Sequence, residues 1–320
     1  ALTAAYGSIN DLFDQAPMVL ASDFAADQLW VKPVVGRNVF ALYSYDSDYS
    51  SSKSFGRTAE SPLGLWQFCY KGIENANWVI ERVPSINMET TRRDAIVGEA
   101  KFLRALYHFT LAKSFGDVVI RTSPSKSESD ALVAKSPKAD VYKQIYKDLD
   151  DAIAKLPSYS ASTVKGRPSK EAATGLYAKA ALYAEDWATA KAKAIEVINS
   201  GKYSLMTDVL DLYNVEKEDL ARQENMFAFE GDYSTKARAT TMMGLCGPPN
   251  SAGRDYGNST FGSLFAFQSF FDSFDPKDKR RQLLDTTYIS VAGKVILQKD
   301  ITPYTVKGVL IKKYMDKNSI

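Results

Sequence analysis

Residues Ser169–Gly201, which run SKEAATGLYAKAALYAEDWATAKAKAIEVINSG, indicate the fold more clearly than any other stretch of the chain. Apolar residues recur every three or four positions through Leu176 and Ala180, stop at a short polar break, and resume over Trp187–Ile198. This spacing is typical of two amphipathic helices joined by a tight turn. A serine before the first helix and Gly201 after the second are the expected start and stop signals.

The length of this segment predicts a known type of helix pair. Its 33 residues are close to the roughly 34 residues of one tetratricopeptide-type helix–turn–helix unit. We expect an antiparallel pair packed through Ala180, Ala181 and Ala190, with Leu176 in the interface. A glycine at position 175 destabilises the helix by about 1 kcal/mol relative to alanine. We therefore expect that a neighbouring group packs closely against Gly175, where a larger side chain would not fit.

Three longer helices are predicted upstream of this pair, each bounded by residues that favour the start or the end of a helix. One runs from Ser61-Pro62 to Pro84, the next from Asn87 to Gly116, and the third from Ser136-Pro137 to Pro157. The first residues of the chain also read as an amphipathic helix. Proline near a helix start and glycine after a helix end are favoured positions for these two residues.

Strands are expected to be few and short. The pattern predicts them near 118–120, 225–230 and 286–315, the last with a hairpin at Gly293. A further helix is predicted over residues 264–274. The fold class is therefore all-α: irregular tetratricopeptide-like helix pairs with long loops and a few short β-strands.

Composition and charge exclude several classes of function. The 320 residues carry a formal net charge of +2, which gives no basis for nucleic-acid binding. Only two cysteines, Cys69 and Cys246, and one histidine, His108, occur in the sequence. No disulfide framework, zinc finger or multi-histidine metal site can be built from them, so we expect no metal, no cofactor and no catalytic residues. Aromatic residues make up 12 % of the chain, and tyrosine in particular suits a binding surface.

Two irregular stretches, residues 36–56 and 231–261, mix aromatic residues with short polar ones. Irregular loops of this length in a compact protein are usually functional or disordered. If the two loops gather on one side, tyrosine rings can stack on a flat ligand while polar side chains bind its hydroxyls; the alternative is ordinary surface loops. The candidate ligand-binding residues are Asn38, Tyr45, Tyr49, Arg254, Tyr256 and Asn258, with Tyr43 as a neighbour in the same group.

Other conspicuous residues favour structural interpretations. Asp46 and Asp48 have a spacing that suits a hard cation, but no glycine turn or distant glutamate completes a calcium loop. Trp66 lies on an apolar helical stripe and is expected in the core. His108 is expected to be a hydrogen-bonded structural residue, and Arg104 and Glu99 a buried or half-buried pair that organises helix packing.

Five segments, in order, resemble one known family. The segment GEAKFLRALYHFTLAKSFGDVVI (Gly98–Ile120) is similar to the hallmark run of the SusD/RagB nutrient-binding lipoproteins. The helix from Trp66 to Asn77, the helix from Val141 to Pro157, Ala172–Leu205 and SFDPKDKRR (Ser273–Arg281) resemble further segments of that family. The chain departs from the family pattern at Val119, where the family usually has proline.

The resemblance implies a cell-surface protein on the outer membrane of Bacteroidetes. Such proteins capture oligosaccharides, or in some branches peptides, and pass them to a TonB-dependent, SusC-like transporter. The family's lipidated N-terminal cysteine and its last helices are absent from this sequence, so we expect one SusD-like domain over 1–320, incomplete at both ends. Within it, 62–205 is expected as a tetratricopeptide-like helical core and 206–320 as a loop-rich region with short strands.

Three classes of function compete on the sequence alone. The first is a glycan- or peptide-binding protein that works with a transporter. The second is a tetratricopeptide-like scaffold for a protein segment, against which the long aromatic loops argue. The third is an all-helical glycoside hydrolase, which needs two carboxylates about 5 to 10 Å apart across the sugar. Nothing in the sequence marks such a pair.

Overall fold

The computed structural model describes residues 2–14, 17–32, 38–45, 58–160, 162–228, 242–257, 259–301 and 308–316. This part of the chain is mostly helical, which confirms the predicted fold class. No helix in it is both long enough and apolar enough to cross a membrane. The helices are α1 (Leu2–Asp14), α2 (Pro17–Leu20), α3 (Val39–Leu42), α4 (Pro62–Arg82), α5 (Thr90–Phe115), α6 (Lys138–Lys155), α7 (Lys170–Tyr183), α8 (Trp187–Ser200), α9 (Glu218–Ala221), α10 (Met242–Cys246) and α11 (Gln268–Asp272).

Most helix ends lie where the sequence signals place them. The Ser169 side chain accepts a hydrogen bond from the Ala172 N–H at the start of α7. Gly116 and Gly201 follow α5 and α8 with φ of 77° and 61°, the left-handed region that favours glycine. The sequence predicts that α5 starts at Asn87, and this prediction is wrong. The helix is capped by Glu89, whose carboxylate accepts two backbone N–H bonds at 2.7 Å.

The chain divides into two compact units. Unit 1 comprises residues 1–9, 66–205 and 222–230, and its framework is the succession α4 to α8. The stripe of α5 predicted to face the core is buried at Ala100, Leu103, Tyr107 and Leu111. The connection between α7 and α8 is three residues long, and Ala180, Ala181 and Ala190 are buried as expected. The prediction that Leu176 lies buried in this interface is wrong, since its side chain is only half-buried.

Glycines allow close approach at two places in unit 1. A Cβ on Gly72 would lie 2.3 Å from the ring of Tyr107, and a Cβ on Gly175 would lie 2.6 Å from the Met226 methyl group. The expectation that Gly175 serves close packing is confirmed, although the neighbour is a methionine from a later segment. No sequence pattern could identify that partner.

Two predicted strands in unit 1 are wrong. Residues 225–228 are irregular, and Phe227 packs edge-on against Phe102 at 4.9 Å, so side-chain packing fixes this segment. Near 118–120 there is only an isolated bridge between Val118 and Ser136. The Tyr70 hydroxyl both accepts from the Val119 N–H and donates to the Val119 carbonyl, each at 2.9 Å. This double contact takes the place of strand pairing.

Unit 2 comprises residues 10–65, 206–221 and 231–320 and holds the strands. Four strands form an antiparallel sheet in the order β1–β2–β6–β3, and the remaining two form a hairpin. The hairpin turns at Gly293 with φ of 77°, which confirms that prediction. The strands are β1 (Leu29–Val31), β2 (Leu264–Phe267), β3 (Leu284–Asp285), β4 (Thr287–Ile289), β5 (Val295–Leu297) and β6 (Gly308–Ile311).

The helix predicted over residues 264–274 is half wrong. Its first half is strand β2, which lies between β1 and β6, and only Gln268–Asp272 is helical. Leu264, Phe265 and Ala266 are all buried. A short continuous apolar run suits a strand covered on both faces as well as it suits a buried helix, so periodicity alone cannot distinguish them.

Unit 2 is built on one main hydrophobic cluster, here called the unit 2 core. It joins residues from α2, α3, α10, β1, β2 and β6, and it includes Phe24, Phe40, Leu245 and Tyr256. Segments that are distant in sequence are therefore packed on the same core. This arrangement positions the loops that carry the candidate site.

Candidate ligand-binding site

The end of α3 presents two exposed tyrosines in unit 2. Tyr43 is 67 % exposed and Tyr45 is 42 % exposed, so both rings offer a face to solvent. The Tyr45 ring meets Phe40 of the unit 2 core edge-on at 6.0 Å. Asn38 lies at the start of the same helix, half-buried, and its side chain makes no capping hydrogen bond. The amide of Asn38 and the two rings thus flank a single turn of helix.

Tyr43 adopts a backbone conformation that is uncommon for a bulky residue. Its φ is 51°, in the left-handed region, and its N–H donates to the Val39 carbonyl to end α3. The Tyr43 hydroxyl donates to the Ala25 carbonyl at 2.9 Å, which ties the side chain to the turn that follows α2. Left-handed bulky residues cost free energy and often lie at functional sites.

The second predicted loop divides between surface and core. Arg254 is exposed in the turn at residues 251–257, and its N–H donates to the Ser251 carbonyl. Tyr256 is 1 % exposed, and its hydroxyl donates to the Ile311 carbonyl at 3.3 Å. Burial raises the pKa of Tyr256. The Tyr256 ring therefore packs in the unit 2 core and supports the turn that carries Arg254. Because it is buried, this ring cannot stack on a ligand as the sequence predicts.

The other candidate residues predicted from the sequence cannot be placed in the structure. Tyr49, Asn258, Asp46 and Asp48 lie outside the described residues. Their roles stay predictions. Among the described residues, Phe40, which contacts the Tyr45 ring, and Tyr256, two residues after Arg254, both belong to the unit 2 core.

A surface cavity of about 310 Å³ lies elsewhere in unit 2. Phe271 of α11, Arg281 of the 3₁₀ turn at Lys279–Leu283, and Lys312 after β6 contribute to its wall. Phe271 also packs against the unit 2 core. The charged segment SFDPKDKRR (Ser273–Arg281) contributes several residues of this wall, but the sequence alone does not show which of its charges are paired.

The conspicuous polar residues of unit 1 have structural roles. His108 is fully buried, with Nδ1 3.1 Å from the Arg104 carbonyl and Nε2 accepting from the Arg121 N–H. Burial lowers its pKa to about 4, so the imidazole is neutral at pH 7. Arg104 donates to both oxygens of Asp148. A hydrogen-bonded structural role for His108 is what the sequence predicts.

The expected pairing of Arg104 with Glu99 is wrong. Arg104 binds Asp148 of α6, whereas Glu99 accepts from Tyr6 and Arg167, each at 2.6 Å. Both residues still tie helices together, as predicted, but their charged partners Asp148 and Arg167 lie 44 and 68 residues away in sequence. Trp66 packs against Tyr70 and Phe115, as its apolar stripe predicts, but it is only half-buried, so its expected place in the core is corrected.

The side chains at the end of α3 offer contacts that a ligand could use. Exposed tyrosine rings give flat apolar faces with a polar rim, while asparagine and arginine supply hydrogen bonds. Among the described residues, no group of three or more His, Cys, Asp or Glu side chains could hold a metal ion. Both cysteines are buried thiols, and burial raises the pKa of each.

Sequence comparisons give one family. A family model described as "Starch-binding associating with outer membrane" (SusD-like) matches residues 8–182. The "SusD-like protein P25" of Formosa agariphila is 26 % identical over 263 residues, which is 80 % of this chain and 48 % of that protein. A "SusD-like protein" of Bacteroides ovatus is 25 % identical over 231 residues, or 67 % of this chain and 41 % of that protein. The chain spans about half the length of the curated relatives it matches.

Solved structures show the same fold. A "Laminarin binding SusD-like protein" superposes with a TM-score of 0.81 at 20 % identity, over 98 % of this chain and 71 % of that one. The surface glycan-binding protein A of Bacteroides thetaiotaomicron, solved with laminarihexaose, gives a TM-score of 0.73 at 20 % identity, over 98 % and 69 %. At these identities the likeness concerns the fold.

Proposed function

This chain belongs to the SusD-like family, and from that premise we propose that it captures oligosaccharides at the cell surface without converting them. The observation that carries the proposal is the family match over residues 8–182. Structures of the same fold include a laminarin-binding protein and a complex with laminarihexaose, which supports a glycan as ligand. The glycan that this chain prefers is a separate question for the experiment below.

The end of α3 is the proposed contact surface. A pyranose ring has a flat face of C–H groups, so it stacks on an exposed aromatic ring such as Tyr45. Asn38 and Arg254 are proposed to bind hydroxyls, together with Tyr49 and Asn258. Each stacking contact contributes on the order of 1 kcal/mol beyond burial of area, so several sugar units are needed for measurable affinity.

We further propose that the captured glycan passes to a TonB-dependent transporter of the outer membrane, with this protein held at the outer face by a lipid anchor. The surface of α8 supports a protein partner. Trp187 is 63 % exposed, Ile195 43 % and Ile198 73 %, while Ala190 of the same helix is buried. Exposed apolar groups clustered on one element are typical of protein–protein contacts.

The first experiment separates the competing functions. The chain is run by affinity electrophoresis through gels that contain laminarin, starch, xylan or pectin, and each glycan is assayed in parallel for release of reducing ends. We expect retardation by at least one glycan without hydrolysis. Turnover would instead indicate a glycosidase, and retardation by none, with binding to a peptide library, would indicate the peptide-binding branch of the family.

Partner capture tests the second half of the proposal. Trp187→Lys, which places a charge on the exposed face of α8, should abolish co-purification with a TonB-dependent transporter from outer membranes. Glu196→Lys changes a charge on the opposite side of the same helix, about half a turn around from Trp187, and serves as the control, since it alters no apolar group. Equal recovery of the transporter with both variants would contradict a role for α8.

A further inference from the structure

The cavity in unit 2 is an open surface pocket with a mostly polar wall. Its volume of about 310 Å³ lies at the lower end of the range for small-molecule sites, about 300–1,000 Å³. The apolar part of its wall is formed by Pro276 and Leu284. An amide and a hydroxyl are added by Gln282 and Thr286. The cavity is therefore roomy enough for a sugar residue and carries both kinds of contact that such a residue makes.

Arg281 is held in this cavity by an aromatic ring. Its guanidinium carbon lies 4.0 Å from the centroid of the Phe271 ring. Phe271 packs on the unit 2 core, so the guanidinium rests on a fixed support. Stacking of this kind occupies one face of the guanidinium and leaves its N–H edge for another partner.

The other charges of the cavity wall are already paired. Asp278 accepts from Arg280 at 2.5 to 3.0 Å, and this contact holds the pKa of Asp278 below its usual range. Asp285 accepts from Thr287 and lies 3.5 Å from the Lys312 ammonium. Each lining carboxylate thus has its own cation.

Arg281 differs from these neighbours. Among the described residues no carboxylate lies within ion-pair distance of it, and its Nε atom is buried without a hydrogen-bond partner. The buried Nε is out of reach of a ligand, but the rest of the guanidinium belongs to the cavity wall, and an anion that enters the cavity would meet a charge with which no described carboxylate is paired. Among the described residues, Arg281 is therefore the one cation of the wall that has no carboxylate partner.

We propose that this cavity is a second ligand site, which binds an anionic sugar residue of the captured glycan through Arg281. The ligand class is a pyranose that bears an oxyanion, either a carboxylate or a sulfate group. Both groups match the fork of N–H donors that arginine presents. The inference rests on the proposed function for the sugar part of the ligand and on the unpaired Arg281 for its charge.

Calorimetric titration of the chain with four probes tests this site: D-glucuronate, glucose 6-sulfate, D-glucose and inorganic sulfate. Arg281→Gln is compared with Lys277→Gln, which removes the same charge from an exposed position nearby that does not line the cavity. Arg281→Lys keeps the charge but loses the fork. Thermal melts verify that each variant is folded before it is titrated.

We expect wild type and Lys277→Gln to bind at least one of the two anionic sugars, and the one bound identifies the oxyanion. Arg281→Gln should bind it about tenfold more weakly or worse, the loss expected for a hydrogen-bonded charge partner, and Arg281→Lys should lie between. Affinity should also fall as salt is raised. D-glucose should bind far more weakly than its charged counterparts.

Three results would overturn the inference. They are equal affinity of Arg281→Gln and Lys277→Gln, equal affinity for glucose and for the anionic sugars, or inorganic sulfate binding as tightly as the sugars, which would indicate a bare anion site. Retardation of Arg281→Gln by a neutral glycan is measured on the same samples. If binding of a neutral glycan persists while the anionic site fails, the proposed function stands without the second site; if no glycan of the panel, neutral or anionic, retards the wild type, the proposed function itself fails.

Discussion

Arg104 and Asp148 form the most deeply buried ion pair among the described residues of unit 1. Their side chains are 2 % and 0 % exposed, and Arg104 also donates to Asn77 and to the Thr122 carbonyl. Burial opposes ionisation of Asp148, but the hydrogen bonds and charge of Arg104, aided by Lys101, outweigh it and hold the pKa of Asp148 below its usual range. Every charge in this network therefore has a partner.

Removing one partner should be much more damaging than removing both. Asp148→Ala leaves the buried Arg104 charge uncompensated and should lower the free energy of unfolding by about 3–5 kcal/mol, whereas Arg104→Met with Asp148→Leu should recover much of that loss. Urea unfolding measures both. Asp151→Ala removes an exposed partner of Lys101 and should cost less than about 1 kcal/mol. Equal losses for Asp148→Ala and Asp151→Ala would contradict this assignment.

His108 should make stability depend on pH in a defined window. Its pKa is about 4 in the folded protein and about 6.5 in the unfolded chain. Between these values the unfolded state binds the extra proton, so stability is lost as pH falls from about 6.5 to about 4, by about 3 kcal/mol in total. Above pH 6.5 the contribution of His108 to the free energy of unfolding is constant.

Two measurements check this dependence. His108 is the only histidine in the sequence, so a single imidazole resonance in the NMR spectrum reports it, and that resonance should stay at the neutral position down to about pH 5. Unfolding free energies of wild type and His108→Gln at several pH values give the slope by difference. A resonance that titrates near pH 6.5 would show that the imidazole is not buried as described.

At the scale of elements, two helical glycines should respond to alanine in opposite directions. In α4, a Cβ on Gly72 would meet the Tyr107 ring at 2.3 Å, and this ring is buried with its hydroxyl bound to the Ala5 carbonyl at 2.5 Å. In α1, a Cβ on Gly7 would meet nothing within 4 Å. Overpacking should cost Gly72→Ala about 1–3 kcal/mol, whereas Gly7→Ala should gain about 0.5–1 kcal/mol from reduced backbone freedom.

The matched pair isolates packing from helix propensity, because both substitutions replace glycine by alanine within a helix. Thermal or urea unfolding of the two variants gives the comparison. Stabilisation by Gly72→Ala would mean that α4 and α5 do not approach closely at this point.

Helix ends could be predicted from the sequence because their causes are local. Pro62, Ser169 and Gly201 act within a few residues of their own positions, and the structure has helix boundaries at each. Strand β2 could not be distinguished from a helix, because its burial depends on β1 and β6, which lie far away in the chain. Short apolar runs carry no period long enough to decide between the two.

At the scale of the whole molecule, the candidate site was predicted only in part. Exposed aromatic residues near Asn38 were expected from composition, and Tyr43 and Tyr45 are exposed as that pattern suggests. Burial of Tyr256 could not be foreseen, because it results from the contact with Ile311, 55 residues away. That Arg281 has no carboxylate partner in the described part of the chain depends likewise on which charges Asp278 and Asp285 take as partners.

The most direct test of the central claim, capture of a glycan at the end of α3, is the affinity of Tyr45→Ala for the glycan that retards the wild type. Tyr183→Ala is the matched control, since Tyr183 is 47 % exposed against 42 % for Tyr45 but belongs to α7 of unit 1. Calorimetric titration should give about tenfold weaker binding or more for Tyr45→Ala, the loss of one stacked ring with its buried area, and wild-type affinity for Tyr183→Ala. Equal affinities for the two variants would place the glycan elsewhere and contradict the proposed site.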